Sequence, residues 1–365
     1  NFFKILWNIF LQYIKMIPSV QGTANTALLH WNNSVYALNE VDMPYRLDID
    51  YVNKNINTDR RINIENIYSS TAHPIKDNDN LHLYGYNNYN FREGKFIHNV
   101  IDSQFNLVYQ KNISLVNNGM IHDIGFTNNT LIIPDMPLKF KMHKIFQNQL
   151  PFYFDKENGL TRFGIHNILE NVTNWYNFEN NFFIFHFTKV YKTVNSFEIF
   201  ACIMDDIFME DFINERNNII RGNTRLKKIV IDTKNNKTKI LENRYIENLQ
   251  LNFKYNIDFP KQSINYKNRY YFCIFDSISG KIKGYMYINL LKFEKVKPKI
   301  FLFENLFGNS EPQVVLINNK EYLLTFTYDF YKNYISLIDI NSNKIENIEI
   351  PTKIPPGFHS IFFKH

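Results

Sequence analysis

From residue 24 onward the chain is a succession of short runs rich in β-branched and aromatic residues. They read NSVYALNE, DNLHLYGY, TLIIPD, FFIFHFTKVY, FEIFACIMD, KKIVID, RYYFCIF, IKGYMYIN, EYLLTFTYDF and YISLIDI. Side chains of this kind fit a pleated, half-buried surface, and each run has the length of one strand. Pairs such as Asn235-Asn236, Ser279-Gly280 and Asn341-Ser342 supply hairpin turns between several of them. No long helix is expected after the opening segment, and no Pro/Gly/Ser linker divides the chain. The pattern therefore predicts one all-β body, either a propeller or a large sandwich. With 365 residues, 45% of them hydrophobic and 16% aromatic, a sizeable core can form.

The opening differs. FFKILWNIFLQYIKMI is apolar nearly all round, interrupted by Lys4, Gln12 and Lys15, and it stops before Pro18. It predicts a helix over residues 1–17 with two readings: packed into a core, or lying on a membrane with its lysines at the headgroups. No run reaches the ~18 apolar residues that a spanning helix needs.

Charge and cysteine content narrow the class. The formal charge is +6, scattered along the chain, with no basic run interleaved with aromatics, so a nucleic-acid groove is not expected. Mild basicity suits an anionic membrane surface or plain solubility. Cys202 and Cys273 are the two cysteines, without a CxxC or a disulfide ladder. That fits a reducing, cytoplasmic setting.

Ten histidines are present. His30, His82, His98, His143, His166 and His365 sit among polar or loop-like neighbours and carry no recurring context. Four others share a setting beside apolar, strand-like runs: STAHP at His73, GMIHDIGF at His122, FFIFHFT at His186 and IPPGFHSIFF at His359. A buried imidazole needs a hydrogen-bond or metal partner. Each alone reads as a satisfied core residue or as a ligand. Because the four are far apart in sequence, only a closed architecture could gather them, as the inner strands of a propeller would. Four neutral imidazoles would suit a borderline divalent ion such as Fe(II), leaving two octahedral positions open.

The chain resembles the carotenoid cleavage oxygenase family in a series of segments. In order these are GTANTALLHWNNSVYALNEVDMPY (22–45), STAHP, MIHDIGFTNNTLIIPDMPL (120–138), FIFHFTKVY, DFPKQSINYKNRYYF (258–272), Ser310–Pro312, YLLTFTYD (322–329) and IPPGFHSIF. The resemblance implies a seven-bladed β-propeller over residues 18–365, forming a single catalytic domain with Fe(II) on its axis. It carries over His73, His122, His186 and His359 as the metal ligands. Glu40, Asp258 and Glu311 correspond to acidic residues that hydrogen-bond the ligand imidazoles and aim them at the metal. Thr26 falls where the family places a small side chain near an open metal position, in the substrate and O2 pocket.

The implied activity is Fe(II)-dependent cleavage of a conjugated double bond of a carotenoid or apocarotenoid by O2, giving aldehyde or ketone products. The implied partners are a lipophilic polyene, O2 and, through the helix at 1–17, a membrane surface touched peripherally. Several departures accompany the resemblance. Asp258 stands where the family has Glu, one methylene shorter. TRFGIHNI (161–168) matches its family segment only in the first half. The family's long segment before ANTAL is not in the sequence; either the sequence is a fragment of a protein with a whole propeller, or Asn1 is the true start and the propeller is incomplete at its N-terminus. Asn39 replaces the lysine that stilbene-cleaving members place before the first acidic residue, so a carotenoid is favoured over a phenolic stilbene. The alternatives are a stilbene-cleaving or retinoid isomerohydrolase-like member, or a non-catalytic propeller that binds lipid or a partner.

Overall fold

The structure is a computed structural model and describes residues 24–40, 42–67, 70–86, 94–117, 119–140, 152–207, 223–355, 357 and 359–363. The helix expected over 1–17 lies outside them. Regular structure among the described residues is nearly all strand, and they divide into two compact units that meet in sequence between Asn118 and Gly119. Among them no helix is long and apolar enough to cross a membrane.

The first unit holds two four-stranded antiparallel meanders. One is β1 (Ala27–Trp31), β2 (Ser34–Leu38), β3 (Tyr45–Asp50) and β4 (Asn55–Arg61); the other is β5 (Ile75–Asp77), β6 (Asn80–Tyr86), β7 (Gly94–Ile101) and β8 (Leu107–Leu115). Trp31, Leu38, Met43, Leu81, Leu83 and Ile101 pack together between them. Burial falls across the first meander: β2 is almost wholly buried, whereas β4, NINTDRR, is almost wholly exposed. The polar sequence of that outer strand is therefore what its position requires.

The second unit begins with β9 (Gly125–Thr127), β10 (Thr130–Asp135), β13 (Arg162–Asn167) and β14 (Val172–Asn177), in the order β14-β13-β10-β9. Between β10 and β13 the short strands β11 (Leu138–Phe140) and β12 (Phe152–Phe154) pair with each other. A second meander follows as β15 (Phe183–Lys192), β16 (Ser196–Met204), β17 (Thr224–Asp232) and β18 (Lys237–Glu242). The last sheet has nine strands. Its main path runs β19 (Tyr255–Gln262), β20 (Arg269–Asp276), β21 (Ile282–Asn289), β23 (Phe307–Gly308), β25 (Lys320–Tyr328), β26 (Asn333–Asp339) and β27 (Lys344–Ile350). Off that path, β22 (Lys299–Leu302) pairs with β21 and β24 (Gln313–Ile317) with β25. The ten runs read from the sequence fall on β2, β6, β10, β15, β16, β17, β20, β21, β25 and β26.

One device closes many of the hairpins. An aspartate at the end of a strand turns its carboxylate back onto the next backbone N–H groups. Asp50 accepts from Val52 and Asn53, Asp232 from Lys234 and Asn235, Asp276 from Ile278 and Ser279, Asp329 from Tyr331 and Lys332, and Asp339 from Asn341 and Ser342. Such Asx turns replace the ladder partners that a reversing chain loses. Where the chain then needs a left-handed residue it uses Asn236, Gly280 or Asn343, with φ of 53°, 67° and 53°.

Arg244–Phe253 forms a helix of 10 residues, α1, where no long helix was expected. Asn243 caps it, its Oδ1 accepting from the N–H groups of Tyr245 and Ile246 at 2.9 and 3.1 Å. Ile246 and Leu249, three residues apart, bury into the core beside Phe272 and Phe293.

Candidate metal centre

Chemistry-bearing residues of both units cluster at the sheet-edge strands, those that pair on one side only. Thr26 precedes β1, His73 precedes β5, His122 precedes β9 and Glu311 precedes β24, while His186 and Asp258 lie within β15 and β19. An edge strand has one side free of ladder bonds, so it can bend locally without breaking a second pairing.

β15 uses that freedom twice. Ile184 pairs with Ile203 and Phe187 with Ala201, so three steps on β15 face two on β16. Phe187 and Lys189 then face Ala201 and Phe200, two steps against one. His186 lies inside the first of these irregularities, in the stretch that the bulge re-aims. Asp123 pins the bulge: its Oδ2 accepts from the backbone N–H of Phe187 at 2.8 Å and its Oδ1 from that of Ile124 at 2.8 Å. Burial pushes the Asp123 carboxyl up, and the charges of His186 and His122 oppose that rise. Gly125 explains how β9 comes close to β15. A Cβ there would stand 2.8 Å from Val190 Cγ2 and 3.0 Å from Ile132 Cβ, so a side chain would push away the strand that His122 precedes.

β19 is bulged as well. Asp258 pairs with Cys273 and Lys261 with Tyr271, again three steps against two. Phe259, inside the bulge, has φ of 57°, an uncommon conformation for a bulky residue and a mark of local strain. It lays its ring against His186 and His359, with centroids 4.8 and 5.1 Å apart. Phe185 does the same for His122 at 5.4 Å.

In the second unit three imidazoles converge. His186 Nε2 is 3.3 Å from His122 Nε2 and 3.3 Å from His359 Nε2. His186 Nδ1 lies 2.8 Å from Asp258 Oδ1, and His359 Nδ1 lies 2.9 Å from Glu311 Oε2. A carboxylate accepts only, so in the neutral imidazoles it draws the proton to Nδ1 and leaves the Nε2 lone pair bare. Two bare acceptors 3.3 Å apart repel unless a cation stands between them. The separation is one that two nitrogens about 2 Å from a common ion adopt. These donors therefore fit a divalent metal.

Asp258 makes its bond directly, so the shorter side chain needs no bridging water; the bulge brings the backbone close enough. Its Oδ1 also accepts from the N–H of Phe259 at 2.7 Å. Glu311 is held more tightly still. Its Oε1 takes Lys261 Nζ at 2.9 Å, the Ser360 N–H at 2.9 Å and Gln313 Nε2 at 3.3 Å. Burial pushes the Glu311 carboxyl up, but the bond from His359 and the Lys261 charge outweigh it and hold the group at about 2. Cys202 and Cys273 are both buried, and burial together with nearby carboxylates raises their thiols well above the usual range. They stay protonated and offer no thiolate to a metal.

In the first unit, the His73 backbone N–H donates to Thr71 Oγ1 at 3.0 Å. Pro74 then restricts the same residue to an extended conformation, so the backbone at His73 is fixed from both sides. Thr26 Oγ1 donates to Glu40 Oε2 at 2.8 Å. Three histidines given a polar or loop-like setting from sequence are instead buried strand residues. His82 on β6 and His98 on β7 meet ring to ring, Nδ1 to Nε2 at 3.0 Å, and His166 on β13 bonds Thr173 at 2.9 Å. Each bonds a residue of the neighbouring strand, which the flanking polar residues could not reveal. Asp123, Lys261, Phe185 and Phe259 went unread in the sequence. The one available signal for Lys261 and Phe259 was their place within DFPK.

The family described as retinal pigment epithelial membrane protein matches residues 8–364, and the chain belongs to that family, the carotenoid cleavage oxygenases. Among curated relatives it is 25% identical over 392 residues to carotenoid 9,10(9',10')-cleavage dioxygenase 1 of Phaseolus vulgaris, covering 93% of this chain. To the carotenoid 9,10(9',10')-cleavage dioxygenase of Crocus sativus it is 26% identical, again over 93% of this chain. The chain spans 66% of the length of each. Among solved structures, a mutant apocarotenoid oxygenase of Synechocystis matches with a TM-score of 0.74 at 15% identity, covering 95% of this chain and 76% of that one. The lignostilbene dioxygenase of Pseudomonas brassicacearum matches at 0.75 and 14%, over 94% and 76%. These likenesses show the same all-β fold.

Proposed function

We propose that His73, His122, His186 and His359 together hold one Fe(II), and that the protein uses it to cleave a conjugated double bond of a carotenoid or apocarotenoid with O2. The observation that carries this reading is the convergence of His122, His186 and His359 through Nε2, two of them fixed through Nδ1 by carboxylates. Family membership and relatives named as carotenoid cleavage dioxygenases support the substrate class. The seven-bladed propeller over residues 18–365, acting as one catalytic domain, belongs to the same proposal. So does peripheral membrane contact through residues 1–17 of a cytoplasmic protein.

When bound, Fe(II) supplies the binding and activation of O2 beside the alkene. The balance is one alkene and one O2 to two carbonyl compounds, with no external reductant. The chain's own residues prepare that chemistry. Asp258 and Glu311 keep the protons of His186 and His359 on Nδ1, so both Nε2 atoms face inward as lone-pair donors. Lys261, Gln313 and the Ser360 N–H hold Glu311 ionised and in place. Phe185 and Phe259 put apolar rings beside the imidazoles and exclude water there. Glu40 plays the corresponding role for the first unit, with Thr26 as a pocket residue beside it.

The test is an aerobic assay of Fe(II)-loaded protein against carotenoids, apocarotenoids and a stilbene. The expected result is aldehyde or ketone products from a polyene, one O2 consumed per pair of carbonyls. Turnover that persists after iron is removed would overturn the proposal. Cleavage of the stilbene alone would move the substrate class.

A further inference from the structure

The hairpin between β19 and β20 carries a second concavity, with chemistry unlike that of the histidine centre. A cavity of about 510 Å³ opens among the loop 265–269, the end of β21 and the segment 296–299. Four cations line it, Lys267, Arg269, Lys297 and Lys299, and no carboxylate does. Elsewhere in this unit several cations meet acids: Lys139 with Asp155, Lys227 with Asp205, Lys320 with Asp339. The ammonium groups of Lys267, Lys297 and Lys299 make no ion pair among the described residues.

The wall is rigid. Glu321, buried under the loop, accepts from Ser263 Oγ at 2.7 Å, the Asn265 N–H at 2.6 Å and Tyr271 Oη at 2.9 Å. Arg269 stacks on two rings, its guanidinium carbon 3.8 Å from the Tyr266 centroid and 4.4 Å from that of Tyr287. Its Nη1 lies 4.0 Å from Glu321 Oε2. Ring stacking leaves the in-plane N–H groups to bond other acceptors. That is the geometry in which arginine grips the oxygens of a phosphate. Unmatched charge around a preformed concavity, with a pre-oriented guanidinium, recruits a multiply charged oxyanion.

We propose that this cavity is a binding site for a phosphate-bearing ligand of at least two negative charges. Arg269 engages it in-plane, and Lys267, Lys297 and Lys299 neutralise the rest. The same chemistry is offered by a free di- or polyphosphate and by a phosphomonoester lipid headgroup.

The test uses the full chain without iron, so its outcome is independent of the histidine centre. Inorganic pyrophosphate is titrated calorimetrically, and vesicles of phosphatidylcholine with and without phosphatidic acid are sedimented with the protein. Each is repeated with the Lys297→Gln/Lys299→Gln double variant and at matched ionic strength in chloride. We expect saturable binding of one pyrophosphate per chain, weakened about tenfold or more in the double variant, since it loses two charge-assisted contacts. Pyrophosphate binding without vesicle binding assigns a soluble phosphate. Co-sedimentation that needs phosphatidic acid and is lost in the variant assigns a headgroup. No saturable binding to either probe would overturn the proposal, as would binding that chloride mimics or the double variant leaves unchanged. Near-ultraviolet circular dichroism checks that the variant keeps its fold, and Lys267→Gln, on the exposed loop, serves as a second variant with the same expected direction.

Discussion

Two groups of buried histidines invite comparison. His82 and His98 lie on regular strands, each in register with a residue of the neighbouring strand, and their rings bond to each other. His122, His186 and His359 lie on or beside bulged edge strands, with carboxylates on the Nδ1 atoms of His186 and His359. In the first group an imidazole N–H meets an imidazole lone pair at 3.0 Å. In the second, the carboxylates fix the protons on the outer nitrogens and leave lone pairs facing one another. Burial alone does not make a metal centre. The carboxylates behind the rings, and the backbone distortion that aims them, make the difference.

Glu311 gives the largest effect expected from this contrast. Its folded carboxyl stands at about 2 against an ordinary 4.5, so its contribution is complete above about pH 4.5 and is lost as the pH falls toward 2. In metal-free protein, urea unfolding should find Glu311→Gln less stable than the parent at pH 7 by on the order of 3 kcal/mol. The gap should close over that acid window; a gap independent of pH would break the account of Glu311. Next comes Asp258→Asn, which replaces the charged acceptor of His186 Nδ1 with a neutral amide and so holds that proton less strongly. Competition against a chelator should place its Fe(II) affinity ~10–100-fold below that of the parent. The same measurement on His98→Phe should return the parental value.

Smaller effects follow from the supports. Asp123→Asn keeps one acceptor for the two N–H groups now shared by the carboxylate, and should cost about 1–3 kcal/mol in thermal or chemical unfolding. Proteolysis focused on β15 would locate the loss. The smallest effect belongs to His82. Burial lowers its pKa below 6.5, with Asp77 opposing, so the unfolded chain binds the proton more readily. The stability of metal-free protein should therefore decline as the pH drops below about 6.5, and His82→Phe should flatten that slope. An unchanged slope would assign the decline to another group.

Much of this was legible in the sequence, for identifiable reasons. Alternating and apolar runs marked ten strands because inner strands bury both faces or one, as β10 and β25 do. His186 stood out because phenylalanines flank it. Irregular backbone was not legible. Nothing in FIFHFTK announces two bulges, and nothing in DFPK says that Phe259 takes a positive φ or that Lys261 reaches Glu311. Contacts between strands escaped as well: the His82–His98 pair depends on which strands become neighbours. The helix α1 carried a readable signal, Asn243 ahead of Ile246 and Leu249, that the surrounding strand pattern outweighed.

The central claim is that the histidines form one metal centre whose imidazoles depend on each other, and iron stoichiometry tests it most directly. Protein reconstituted anaerobically with Fe(II), freed of excess metal and analysed by atomic emission, should carry close to one iron per chain. His186→Ala should carry almost none while keeping its circular dichroism. Equal iron in parent and variant, or none in either, would contradict the account.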